Sequence, residues 1–132
     1  MAASEAPLDT DLVREFVANA HGDLEAARKA LDDHPSLANA CWDWGGGDWE
    51  TGLGAASHVG RRDIAELLLD RGARLDVFAA AMLGELEVVR AVLAARPETR
   101  HALGPHGIPL RAHAEAGGKR ARAVLELLDS SA

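Results

Sequence analysis

The chain has 132 residues, a single-domain length that buries roughly two-thirds of the unfolded surface. Fourteen Lys and Arg against twenty-one Asp and Glu leave a net charge of −7, which excludes the basic surface that nucleic acids and anionic membranes require. A lone cysteine, Cys41, excludes an internal disulfide, no apolar run nears the roughly 18 residues of a membrane span, and Met1 to Leu8 carry no basic–apolar leader, so a cytoplasmic globular protein is expected.

Abundant Ala and Leu, sparse β-branched residues and helical apolar spacing predict an all-α chain. Helices are expected over 10–19, 23–33, 52–58, 61–70, 77–83, 86–95, 109–116 and 119–129, in one domain spanning 9–130. Disorder is expected over residues 1–8 and at the last two residues. Asp9 or Thr10 suits the first N-cap, and Asp23 and Asp63 fall in first turns, where an acid meets free N–H groups. Pro35 and Pro97 open matching segments, each expected as a short turn or 3₁₀ helix.

Four glycines each follow a short Ala-rich stretch: Gly22, Gly60, Gly84 and Gly117, spaced by 38, 24 and 33 residues. Behind the first three, apolar residues recur at offsets of four, five, eight and nine: Ala26, Ala27, Ala30 and Leu31; Ile64, Ala65, Leu68 and Leu69; Val88, Val89, Val92 and Leu93. Such positions make one stripe of an amphipathic helix. In the fourth unit the stripe (Ala123, Val124, Leu127, Leu128) arrives two residues late, which predicts a longer turn around Gly117–Gly118. Each unit thus reads as a short small-residue helix, a glycine turn and a longer amphipathic helix, and such a unit needs a stacked neighbour to bury its faces.

Thr51-Gly-Leu-Gly-Ala-Ala-Ser-His-Val-Gly60, followed by Glu66-Leu-Leu-Leu-Asp-Arg-Gly72-Ala73, resembles the ankyrin repeat, with its T-P-L-H-x-A-A-x-x-G…LLxxGA unit of about 33 residues. Ile108-Pro109-Leu110-Arg111-Ala112 echoes the same opening. The resemblance covers residues 10–129 and implies a solenoid of about four atypical helix–turn–helix repeats. Two departures stand out. Gly54 and Arg111 replace the family's turn histidine, and the 24-residue spacing forces Arg74-Leu75-Asp76 to turn directly into a helix at Val77. The 38-residue spacing instead gives an enlarged connection between units one and two, the stretch Cys41-Trp42-Asp43-Trp44-Gly45-Gly46-Gly47-Asp48-Trp49-Glu50-Thr51.

The resemblance implies an interaction module that recognises a protein segment or a small ligand on its concave face, with no catalysis and no cofactor. Binding residues would come from the Trp loop and its surroundings: Trp42, Trp44, Asp48, Trp49, Glu50, Phe78, Met82, His106 and Arg111. Indoles on a glycine-rich loop suit a contact surface, although one or two could instead cap the first unit's core. The loop is no phosphate cradle, because no Lys follows the glycines and acids flank them.

A second reading is a small cofactor-free enzyme of isomerase, cyclase or hydrolase type, although no established catalytic motif is present. Its site would lie in room left by Gly54, Ala55, Ala80 and Ala81 beside Phe78 and Met82. His58 would transfer protons, aided by His21, Asp43 or Glu115. His113, within a short helix, reads as a structural histidine that must find a partner. No metal site is expected: no H-x₃-H, H-E-x-x-H or Cys–His spacing occurs, and His113-x-Glu115 splays around a helix. Arg61–Arg62 and Lys119-Arg120-Ala-Arg122 read as solvated outer faces. A monomer that binds a protein or a small molecule, with no nucleic acid and no membrane, is the expectation.

Overall fold

Side-chain caps open four of the helices in the computed structural model, which describes residues 6–130. At these starts a backbone N–H left over in the first turn finds a side-chain acceptor. Leu12 N–H donates to Asp9 at 3.1 Å and opens α1 (Thr10–Asn19); Ala26 N–H donates to Asp23 at 3.0 Å and opens α2 (Leu24–Asp33). Gly54 N–H donates to the Thr51 hydroxyl at 2.9 Å and opens α3 (Gly52–His58), which is followed by α4 (Arg62–Asp70). Ala79 N–H donates to Asp76 at 2.8 Å and opens α5 (Val77–Leu83), so the tight connection at Arg74-Leu75-Asp76 works through its own cap. Then follow α6 (Leu86–Ala95), α7 (Leu110–Ala116) and α8 (Arg122–Ser130).

The fold is mostly helical, with one small sheet that the all-α expectation did not include. Helices pair in chain order, α1 with α2, α3 with α4, α5 with α6 and α7 with α8. Each short first helix also packs on the first helix of the next pair, so α1, α3, α5 and α7 form one row. Alanine makes that row possible: Ala55, Ala56, Ala79, Ala80, Ala81 and Ala114 are all buried, and small side chains let the backbones approach. The stripes of the second helices close the core. Ala27, Leu31, Ile64, Ala65 and Leu68 join Phe16, Val17, Leu37 and Leu53 in one cluster, and Val89, Leu93, Val124 and Leu128 join Leu110 in another.

Pro35–Asn39 and Pro97–His101 are both 3₁₀ turns, as their matching sequences predict. The last expected helix divides: Gly118–Ala121 is 3₁₀ and α8 begins only at Arg122, which absorbs the two-residue delay of the fourth stripe. The Trp loop, expected without strands, is a hairpin of β1 (Cys41–Asp43) and β2 (Trp49–Thr51) with Trp42 opposite Glu50. Gly45, Gly46 and Gly47 all take positive φ in its turn, and the Asp43 carboxylate accepts the Gly45 and Gly47 amides at 2.8 and 3.0 Å. The disorder expected at the termini falls largely on residues 1–5 and 131–132, outside the described residues. Leu8, within the same expectation, packs against the core. Among the described residues no helix is long and apolar enough to cross a membrane.

The basic pair Arg61–Arg62, expected to be solvated, instead stitches neighbouring turns. Arg61 donates to the Gly22 carbonyl at 2.8 Å, and Arg62 donates to the Leu83 carbonyl at 2.9 Å. Asn39 bridges in the same manner, donating to Gly72 O at 3.0 Å and accepting from Arg74 N–H at 2.8 Å. These bonds satisfy carbonyls that the helix ends leave open.

Gly84 closes α5 at φ 79°, and an added Cβ would run into the Arg120 carbonyl of the neighbouring unit. Gly84→Ala therefore combines left-handed strain with a backbone collision. It should lower unfolding free energy by at least ~2 kcal/mol in urea denaturation. Arg62→Ala should cost about 1–2 kcal/mol through the lost charged hydrogen bond. Wild-type midpoints for both variants would contradict this account of the turns.

Candidate functional site

Three imidazoles converge on one carboxylate. His21 sits in the turn after α1, His58 is the last residue of α3, and His106 lies in the short loop before α7. Glu50 is on β2, and its position opposite Trp42 turns it inward, because directly paired residues share a face of the strand pair. Glu50 is completely buried. Its Oε1 lies 3.2 Å from His21 Nε2 and 3.1 Å from His106 Nε2, and its Oε2 lies 3.0 Å from His58 Nε2. The Trp44 indole N–H also donates to Glu50 Oε1, at 2.8 Å. Ring centroids are 5.0 Å apart for His21 and His58 and 5.2 Å for His58 and His106.

Each outer ring nitrogen of His21 and His106 has its own anchor. His21 Nδ1 is 3.0 Å from Val17 O and 3.1 Å from Ala18 O, and carbonyls only accept, so this nitrogen carries a proton. His106 is gripped by Asp48 at two points: its backbone N–H donates to Oδ1 and its ring Nδ1–H donates to Oδ2, both at 2.7 Å. That grip holds His106 at φ 62°, a left-handed conformation costing a non-glycine residue about 1–2 kcal/mol. Strain retained by two bonds to one residue 58 positions away is a feature of sites that need a side chain in one orientation.

The electrostatics follow from the packing. The hydrogen bond that His21 donates to Glu50 raises the His21 pKa above 6.5 against the opposing effect of burial. Burial pushes His58 the other way, below 6.5, and the charges of His21 and His106 reinforce it while Glu50 offsets part. For Glu50, burial pushes the pKa upward. The bonds from His21 and Trp44, with the charges of His21 and His106, overcome that and hold it below 4.5. The His106 backbone amide lowers the Asp48 pKa, helped by the His106 ring.

The residues singled out in the sequence separate into those at the cluster and those elsewhere. His21 and His58, expected as acid–base residues, are at the cluster with Glu50, His106, Asp48 and Trp44, expected as binding residues. Asp43 is not: its carboxylate is spent on the glycine turn. Glu115 pairs with Arg111 at 3.1 Å, and Arg111 also ties α7 to Asp129 of α8 at 2.8 Å. Trp42 packs on the first core cluster, whereas Trp49 is 58% exposed. Met82 is fully buried, and Phe78 packs against the His113 ring at 4.9 Å. The room expected around Gly54 is closed by the Pro105 ring, which a Gly54 Cβ would touch at 3.4 Å. His113 is buried, and its partner is the Pro109 carbonyl, 2.9 Å from Nδ1.

Local composition hides the burial of Glu50, because an acid beside Trp49 in a glycine-rich loop reads as solvated. The available signal was strand alternation, with Trp42 and Glu50 on the same side.

Proton resonances of the His21 and His58 rings should titrate apart. His21 should titrate above 6.5 and His58 below it, and Glu50→Gln should bring His21 down. The raised His21 pKa contributes stability that is present below pH 6.5 and lost as pH rises through the folded value. The depressed Glu50 pKa contributes stability that is present above pH 4.5 and lost as pH falls through the folded value. Coincident titration of His21 and His58 in the wild-type chain would contradict the geometry. Comparison with protein-family models, with curated proteins and with solved structures gives no match to this chain.

Proposed function

We propose that the protein is a small hydrolytic enzyme on an ankyrin-like stack of helix pairs, acting on a small polar substrate at the Glu50–His21–His58–His106 cluster. The observation that carries this reading is the convergence itself. A fully buried carboxylate and three imidazoles come from four separate segments, and two of the rings are oriented from behind. Stability does not call for such a set, since burying charged groups costs more than burying apolar ones of the same volume. Oriented, supported polar groups in one place are what chemistry requires.

The cluster is also reachable. The His21 and His106 side chains are 28% and 32% exposed, while Trp44 leans over both with centroids 6.3 Å away. Water can reach the exposed parts of both rings beside the indole, and a small substrate would enter there. Hydrolysis there requires one water to lose a proton to the cluster as its oxygen attacks the electrophilic centre. The departing group then takes a proton back, so the cluster returns to its starting state.

An interaction module would draw on Trp49, Leu103 and Trp44, which are exposed, but the Trp44 indole N–H is committed to Glu50. The small-molecule reading accounts for that commitment.

Pooled small metabolites, together with chromogenic carboxylic and phosphoric esters, should be incubated with the chain and followed by proton NMR and absorbance. Conversion of at least one compound is expected, falling at least about 100-fold with Glu50→Gln or His58→Gln. Equal conversion by the wild type and His58→Gln, or none by the wild type, would overturn the proposal.

A further inference from the structure

We infer that Nε2 of His21, His58 and His106, together with the Glu50 carboxylate, form a binding site for one divalent first-row transition-metal ion of the zinc type. The inference rests on the preceding proposal for the importance of the cluster, but metal binding stands whether or not a substrate is turned over. The ligand atoms of the four residues all lie within 4.8 Å of one another. The three Nε2 atoms stand 3.0 to 3.2 Å from Glu50 oxygens. Ligands held 2.0–2.1 Å from a tetrahedral ion are about 3.3 Å from each other. The nitrogen–oxygen separations already match that spacing, and the ligand atoms, within 4.8 Å of one another, would draw in by at most about 1.5 Å.

Ring orientation supports the same conclusion. A neutral imidazole keeps its proton on one nitrogen and a lone pair on the other. His21 uses its Nδ1 proton on the α1 carbonyls, and His106 uses its own on Asp48, so in the neutral form of both rings the Nε2 lone pair faces inward. A carboxylate or carbonyl behind the ring is the usual way of fixing a metal-binding histidine. Without an ion, two lone pairs face a carboxylate unless both rings are doubly protonated, and two imidazolium charges would then stand 6.2 Å apart.

Protons alone also leave the site unsatisfied. Glu50 Oε1 faces three nitrogens at 2.8 to 3.2 Å, more donors than its two lone pairs accommodate. Glu50 Oε2 and His58 Nε2, although 3.0 Å apart, are misaligned, and neither buried atom has a hydrogen-bond partner. Orphaned polar atoms of this kind are rare, and a site for a cation is one of the standard causes. A single ion would satisfy both and relieve the crowding on Oε1.

The donor set defines the class of ion. Three nitrogens and one oxygen suit Zn²⁺, and in the same series Co²⁺, Ni²⁺ and Cu²⁺; all-oxygen sites suit Mg²⁺ and Ca²⁺. Thiolate ligation is absent from the set, since Cys41 lies exposed on β1. Asp48 touches no donor atom other than through His106, and is a positioning residue.

The full chain, treated with chelator and dialysed, should be titrated with Co²⁺ by visible absorption and with Zn²⁺ by calorimetry. One equivalent is expected to bind with a dissociation constant below micromolar, with d–d bands and a raised melting temperature. His58→Gln and Glu50→Gln should weaken binding more than about 100-fold, and Asp48→Asn about 10–100-fold with the ligands intact. His106→Gln leaves the backbone bond to Asp48 in place and should weaken binding as His58→Gln does; circular dichroism checks the fold of each variant. His34→Gln and His101→Gln, outside the cluster, should change nothing. Failure of the wild type to bind either ion, or binding that survives both His58→Gln and His106→Gln, overturns the inference. One-to-one binding without any turnover supports it and sinks the hydrolytic proposal. Turnover by the metal-free chain that binds no ion does the reverse.

Discussion

Everything on the inner face answers to one buried anion. A carboxylate taken out of water costs several kcal/mol unless nearby groups replace its hydration. Glu50 obtains that replacement from four residues that share no local segment: Trp44, His21, His58 and His106. The hairpin must therefore fold over the ends of α1 and α3, and the loop before α7 must reach back to meet it. Supplying the surroundings of one side chain fixes the relative placement of three of the four helix pairs.

The helix row makes this affordable because it leaves little freedom elsewhere. Alanines along α3, α5 and α7 set backbone spacing by contact, and glycine turns such as Gly84 and Gly117 sit against backbone carbonyls of neighbouring units. A scaffold positioned by backbone contact holds histidines at helix ends with little play. Bonds from Asn39, Arg61 and Arg62 to turn carbonyls add registration between neighbours. The side chains at the cluster therefore inherit their precision from residues that never approach it.

Much of the scaffold was legible in the sequence, because it follows local rules. Helix limits such as Thr10–Asn19, Gly52–His58 and Val77–Leu83 follow from caps and apolar spacing, both of which act within one turn. The direct turn into α5 could be deduced from the 24-residue spacing and the capping capacity of Asp76. The hairpin was harder to read: three-residue strands around a run of glycines carry almost no β signal. His21, His58, Glu50 and His106 could each be picked out singly. Their meeting depends on the hairpin geometry and the Asp48 grip, which are contacts across 58 residues that no spacing rule encodes. Arg61 and Arg62 misled for a related reason, since a charge at a helix start reads as solvated until the neighbouring turn is in place.

The Asp48–His106 grip changes the kind of object this stack is. In an array of repeats each unit senses only those beside it, so an end can fray while the rest stays folded. Here the hairpin between the first and second pairs is fastened to the loop that enters the fourth, passing over the third. The chain is thereby closed into a circuit, and loosening α7 at one end is felt at β2 near the other. Integrity of the polar cluster and cooperativity of the whole stack become a single property, carried by one aspartate.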